Sequence, residues 1–126
     1  MDKNKAAYKL KGLPPVYYTN LDRSPERQKY MEDQFKYWEI ENYTRISGYD
    51  GTGEDDLSGI LKGRYPDQMG PTDVGCCTSH LKAIHHWYTT SDTSCAIMME
   101  DDCDLSVVSN WPFTWKEFYA RMPFDY

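Results

Sequence analysis

The apolar run Ala96-Ile97-Met98-Met99 leads directly into Glu100-Asp101-Asp102-Cys103-Asp104, so an expected buried strand ends in four carboxylates within five positions. Side chains alternate faces along extended backbone, so if the strand geometry continues, Glu100, Asp102 and Asp104 share one face and Asp101 takes the other. Three acids on one face repel one another unless a cation or open water lies among them. Oxygen-only ligands suit a hard ion, Mn²⁺ or Mg²⁺, and the carboxyl end of a parallel strand is where α/β sheets bind ligands. Two readings therefore stand: a metal site holding a phosphate-bearing substrate, or a solvated acidic turn after a core strand.

The elements that must position these acids can be read from periodicity. Residues 1–13 are polar and end at Gly12-Leu13-Pro14-Pro15, a leader into a domain covering 14–126. Val16 to Leu21 reads as a first strand, and Ser24-Pro25 starts a helix with Met31, Phe35 and Trp38 inward and Arg27, Glu32, Asp33, Lys36 and Glu39 toward water. Tyr43 to Ile46 is a short second strand. A long glycine-rich loop runs to Pro71, with a short helix near Asp56 to Lys62, and loops of that length inside a domain are functional or mobile. Thr72-Asp73 caps a second helix, with Val74, Cys77, Leu81, Ile84 and Tyr88 as its apolar stripe. Cys95 to Met99 forms the third strand, and a last helix spans Thr114 to Arg121. Strands alternating with helices imply a parallel α/β sandwich. Three strands make a small sheet, so the C-terminal part is expected to be incomplete, with an uncovered edge that favours self-association or a partner.

Bulk composition narrows the function classes. The chain has 126 residues, 15% aromatic and 27% charged, enough for one domain with a core. Net charge −6 argues against a broad nucleic-acid-binding surface. No run approaches the length of a membrane span, and no apolar run of a secretory signal follows the N-terminus, which makes the cytoplasm the default. Cys76, Cys77, Cys95 and Cys103 include no C-x-x-C pair and fit reduced thiols.

Three blocks, in order, resemble glycosyltransferase family 25, which includes lipooligosaccharide and collagen galactosyltransferases. They are Val16-Tyr17-Tyr18-Thr19-Asn20-Leu21-Asp22-Arg23-Ser24-Pro25-Glu26-Arg27, the segment Gly70 to Leu81 with its Gly-Cys-x-x-Ser-His-Leu pattern, and Ile97-Met98-Met99-Glu100-Asp101-Asp102. The resemblance implies a GT-A fold, in which a Rossmann-like sheet binds a nucleotide sugar and an acidic motif binds Mn²⁺ or Mg²⁺ on the diphosphate. It implies transfer of a hexose, galactose foremost, from a UDP-sugar donor to a glycan or other hydroxyl acceptor, with inversion. Carried onto this chain, the donor-binding residues are Asn20, Leu21, Asp22, Arg23, Arg27, Ser79, His80 and Asp101. The metal ligands are Glu100, Asp102 and Asp104, the last forming a second D-x-D with Asp102. Family domains continue well beyond the acidic motif to supply the base that deprotonates the acceptor, so that base is expected to be absent here, with Asp50, Asp73 and His80 as substitutes to test.

Other chemistries are less well supported by the residues. Asn20 and Asp22 could be no more than a turn and a cap, and His80 a structural histidine at the edge of its stripe. Cys76, Cys77 and His80 have helical ligand spacing, with His85 and His86 nearby, but a structural zinc site needs four ligands from at least two segments, and Cys77 is assigned to the core. Ser79-His80 lacks a nucleophile elbow. A haloacid dehalogenase-type phosphatase would use Asp102 as nucleophile and Asp104 as acid, but that motif normally opens its domain. A nucleotide-sugar-binding or interaction module without turnover is the non-enzyme alternative.

Overall fold

A computed structural model describes residues 2–53, 57 and 68–123, and structural statements below concern those residues. Three parallel strands, β1 (Val16–Asn20), β2 (Tyr43–Ser47) and β3 (Ile97–Glu100), form a sheet in the order β2-β1-β3. Val16 lies opposite Tyr43 on one side and Ile97 on the other, and Thr19 opposite Ile46 and Glu100. The chain leaves β1 toward β2 and then returns across β1 to β3. That reversal puts a switch point between the carboxyl ends of β1 and β3, where open α/β sheets bind ligands. The expected α/β sandwich with a Rossmann-like parallel sheet is present at this level.

The two faces of β1 are covered by different helices, as its period of two requires. Val16 and Tyr18 face α1 (Pro25–Tyr37), where Met31 and Phe35, with Trp38 at the C-cap, are buried as the helical spacing predicts. The Tyr18 hydroxyl donates to Glu32 Oε1 at 2.7 Å, so Glu32 is half-buried rather than fully in water. Proline begins α1 as expected, but the Ser24 side chain makes no capping bond; its carbonyl accepts from Asn20 instead. The polar segment 1–13 contributes to this core through a 3-10 turn at Ala7–Leu10, whose Ala7 and Leu10 are buried against α1 and β1. A second 3-10 turn at Leu105–Asn110, not foreseen from periodicity, adds Leu105 and Val108.

The other face is covered by α2 (Pro71–Thr90), and here the sequence-based expectation is overturned. Cys77, Leu81, Ile84 and Tyr88 are exposed, Tyr88 at 78%, while the buried side is Val74, Gly75, Thr78, Ser79 and Ala83. Close approach decides the rotation. A methyl group built on Gly75 would stand 2.7 Å from Gly51 N and Tyr49 O, and one on Gly51 would stand 1.8 Å from Pro71 O. The helix touches the loop after β2 backbone to backbone, which only its small-residue side permits, and that turns the larger apolar stripe outward. The cap also shifts: Gly70 is the N-cap, Pro71 opens the helix, and Asp73 accepts from Gly70 N at 3.0 Å.

We expect Gly75→Val to cost about 1–3 kcal/mol, because backbone on both sides must yield. Leu81→Ala, on the exposed side of the same helix, should stay within about 0.5 kcal/mol. Chemical denaturation distinguishes the two; the reverse ranking would mean that α2 is docked by its large apolar residues. The last helix, α3, covers Trp115–Ala120 behind a Thr114–Glu117 capping box. The short helix expected near Asp56 to Lys62 lies outside the described residues except for Leu57. No helix among the described residues is long and apolar enough to cross a membrane.

Candidate functional site

A cleft of about 210 Å³ opens at the switch point, lined by the ends of β1 and β3, the loop after β2 and the first turns of α2. Asn20 is the joint of this site. Its Nδ2 donates to Asp101 Oδ2 at 2.8 Å and to the Ser24 carbonyl at 3.1 Å, and its Oδ1 accepts from Arg45 Nε at 2.8 Å. Asn20 therefore ties β1 to β3, α1 and β2 at once, and its amide is spent on the frame rather than on a ligand. Asp101 is buried and its second oxygen accepts from Arg27 at 3.2 Å.

Two guanidinium groups stand at the cleft. Arg27 is 56% exposed beside Asp101, and Arg23 is 66% exposed with its Nε 2.6 Å from Asp50. Each carboxylate occupies part of a five-donor fork, and both guanidinium groups are more than half exposed, so further N–H donors remain accessible from solvent. Thr52 N and Oγ1 donate to Asp50 Oδ1 at 3.1 and 2.9 Å, and these bonds, together with Arg23, hold the Asp50 carboxyl below its ordinary range. Leu21, Thr72, Cys76 and Ser79 complete the wall. Ser79 is buried; its Oγ donates to the Gly75 carbonyl at 2.6 Å and accepts from Tyr49 N at 2.8 Å, so it fastens the loop after β2 onto α2. Lys82 Nζ donates to the Ser47 carbonyl at 2.8 Å and sits 4.9 Å above the Tyr49 ring, fastening the same loop a turn further on.

The remaining expected residues are distributed differently from the strand-alternation picture. Asp22 lies outside the cleft lining, accepting from Arg45 at 2.7 Å and Ser47 at 2.8 Å, bonds that lower its pKa. Glu100 and Asp101 do take opposite sides, toward α2 and α1 respectively. Regular extension ends there, since Asp101 and Asp102 form a turn with Cys103 N bonded to the Glu100 carbonyl. Gln34 on α1 grips the next residues, donating to the Cys103 carbonyl at 2.9 Å and accepting from Leu105 N at 2.7 Å. Asp104 accepts from Ser106 N at 2.9 Å, which caps the following 3-10 turn and lowers the Asp104 pKa. Asp102 is exposed in the turn. The three acids Glu100, Asp102 and Asp104 are thus not gathered into one cluster.

One group of three potential metal ligands does converge among the described residues: Cys76, His80 and Glu100. Cys76 Sγ donates to Glu100 Oε1 at 3.3 Å, and His80 Nε2 lies 3.0 Å from the same oxygen. The imidazole and then the thiol hold the Glu100 carboxyl below its usual range. Desolvation, followed by the neighbouring carboxylate, pushes the Cys76 thiol up to about 11. Sequence reasoning put Cys76 and His80 on one helix face but had no means of bringing Glu100 to it. Arg45 and Tyr49 were also missed as parts of the site, since nothing local marks a strand arginine or a loop tyrosine as belonging to it; Asp50, named only as a substitute base, lines the cleft beside Arg23.

The sequence matches the model of glycosyltransferase family 25, described as LPS biosynthesis protein, over residues 13–113. The chain belongs to glycosyltransferase family 25. The matched span contains all three strands and every residue of the cleft lining that the structure describes. No curated protein and no solved structure matches the chain. Family 25 membership implies a sugar donor and an acceptor.

Proposed function

We propose that this chain binds a UDP-hexose in the switch-point cleft and serves the transfer of its sugar, galactose foremost, to a hydroxyl of a lipopolysaccharide-type glycan. The observation that carries this reading is the pairing of Arg23 and Arg27, both more than half exposed, at a cleft formed by the carboxyl ends of β1 and β3. Guanidinium forks suit the diphosphate oxygens, and the first turn of α2, represented in the lining by Thr72, adds the favourable end of a 20-residue helix dipole. As the bond from sugar to diphosphate breaks, charge accumulates on the departing UDP, and preorganised donors of this kind stabilise it. Asn20 and Asp101 act as positioning residues, holding Arg27 over the cleft.

The Mn²⁺ or Mg²⁺ expected on the diphosphate calls for a set of oxygen ligands. With Asp104 capping a turn and Asp101 committed to Asn20 and Arg27, the donor set formed by Glu100, Asp102 and Asp104 does not fit such a cage as it stands.

Calorimetry with UDP-galactose, UDP-glucose, UMP and inorganic phosphate, each with Mn²⁺ and with EDTA, tests the reading. The expected order places UDP-sugars first, with UMP at least about tenfold weaker because it lacks the second phosphate that the arginines address. Equal binding of inorganic phosphate and UDP-sugar would remove the nucleotide from the account.

A further inference from the structure

We propose that Cys76, His80 and Glu100 form a zinc site on the wall of the cleft, with three protein ligands and a fourth position open to solvent. The residues come from two elements, which is what a sequence reading of Cys76 and His80 alone lacked. Cys76 and His80 are four positions apart and so share one face of α2, and Glu100 projects from the end of β3 onto that face because alternation directs it to the α2 side of the sheet. The three ligand atoms lie within 4.8 Å of one another, with Sγ 3.3 Å and Nε2 3.0 Å from the same carboxylate oxygen. Ligand atoms around tetrahedral zinc, with Zn–N near 2.0 Å and Zn–S near 2.3 Å, stand about 3.3–3.5 Å apart. The trio is therefore within side-chain adjustment of a first shell.

The chemistry of the set chooses the ion. One sulfur, one nitrogen and one oxygen make a poor site for Mg²⁺, which demands oxygen, and a good one for zinc or cobalt. Three protein ligands with an open position are the arrangement of substrate-handling rather than structural zinc sites. Cys76 and Glu100 both line the cleft, and Glu100 is 48% exposed, so the set is accessible to solvent and to a fourth ligand. On binding, the S–H bond of Cys76 is replaced by S–Zn and its proton leaves to solvent, while His80 and Glu100 bind through lone pairs. The site stands apart from the sugar-transfer reading and is tested with no nucleotide present.

The test is a cobalt titration of the metal-stripped chain, followed by absorption. Co²⁺ should bind one to one with a thiolate-to-cobalt charge-transfer band, Zn²⁺ should erase that band, and Mg²⁺ should not. Cys76→Ser should abolish the band and Cys77→Ser should keep it. His80→Asn and Glu100→Gln retain the thiol, so the band should survive in both with affinity reduced at least about tenfold. Far-ultraviolet circular dichroism of each variant separates loss of a ligand from loss of fold. An absent band in the folded parent, a band unchanged in Cys76→Ser, or unaltered affinity in both other variants would overturn the proposal.

Discussion

Asp101→Ala is expected to lower stability by about 1–3 kcal/mol and to reduce UDP-sugar affinity more than tenfold. The stability loss comes from Asn20 rather than from Arg27. Removing the carboxylate leaves one of the two Asn20 Nδ2 hydrogens without its partner in a buried position, the other still bonding the Ser24 carbonyl, whereas Arg27, 56% exposed, can turn to water. The affinity loss follows because Arg27 is then no longer held over the cleft. Urea denaturation and calorimetry measure the two effects separately. Parental stability in Asp101→Ala would show that the junction between β1 and β3 does not depend on this hydrogen bond.

Arg27→Ala should separate binding from folding. Because the side chain is largely exposed, its removal should shift stability by no more than about 0.5 kcal/mol, while the loss of charge-assisted bonds to phosphate should weaken UDP-sugar about 10- to 100-fold. UMP should lose less than UDP-sugar, since it presents fewer phosphate oxygens to the arginines. Titration in rising salt adds a check, because the parent's affinity should fall more steeply with ionic strength than the variant's. Equal losses for UMP and UDP-sugar would place Arg27 at the nucleoside rather than at the diphosphate.

Much of the fold was legible because period and caps agree over most elements. β1, α1 and the apolar part of β3 follow their patterns to within a residue or two, and Met31, Phe35 and Trp38 occupy the core side that their spacing assigns. The second helix was misjudged for a physical reason. Ranking by hydrophobicity places Leu81, Ile84 and Tyr88 inside, but the loop carrying Gly48 and Gly51 approaches α2 too closely for any face other than that of Gly75 and Ser79. The acidic cluster shows the same limit of local rules. Alternation holds from Glu100 to Asp101, then fails because the chain turns and Gln34, from a distant helix, fixes the backbone on either side of Asp104. The acidic end of β3 was readable as a candidate site; the partners of its side chains were not, since Arg45, Cys76 and His80 reach them from other elements.

The central claim is that the cleft between β1 and β3 receives a nucleotide sugar, and its most direct test is a ¹H–¹⁵N NMR titration of the chain with UDP-galactose. The account predicts saturable shifts concentrated at Asn20 to Arg27, Gly48 to Thr52, the first two turns of α2 and Glu100-Asp101, while the exposed side of α2 around Leu81 and Tyr88 stays unmoved. Saturable shifts confined to any other surface, or no saturable response to UDP-galactose, UDP-glucose or UDP, would contradict it.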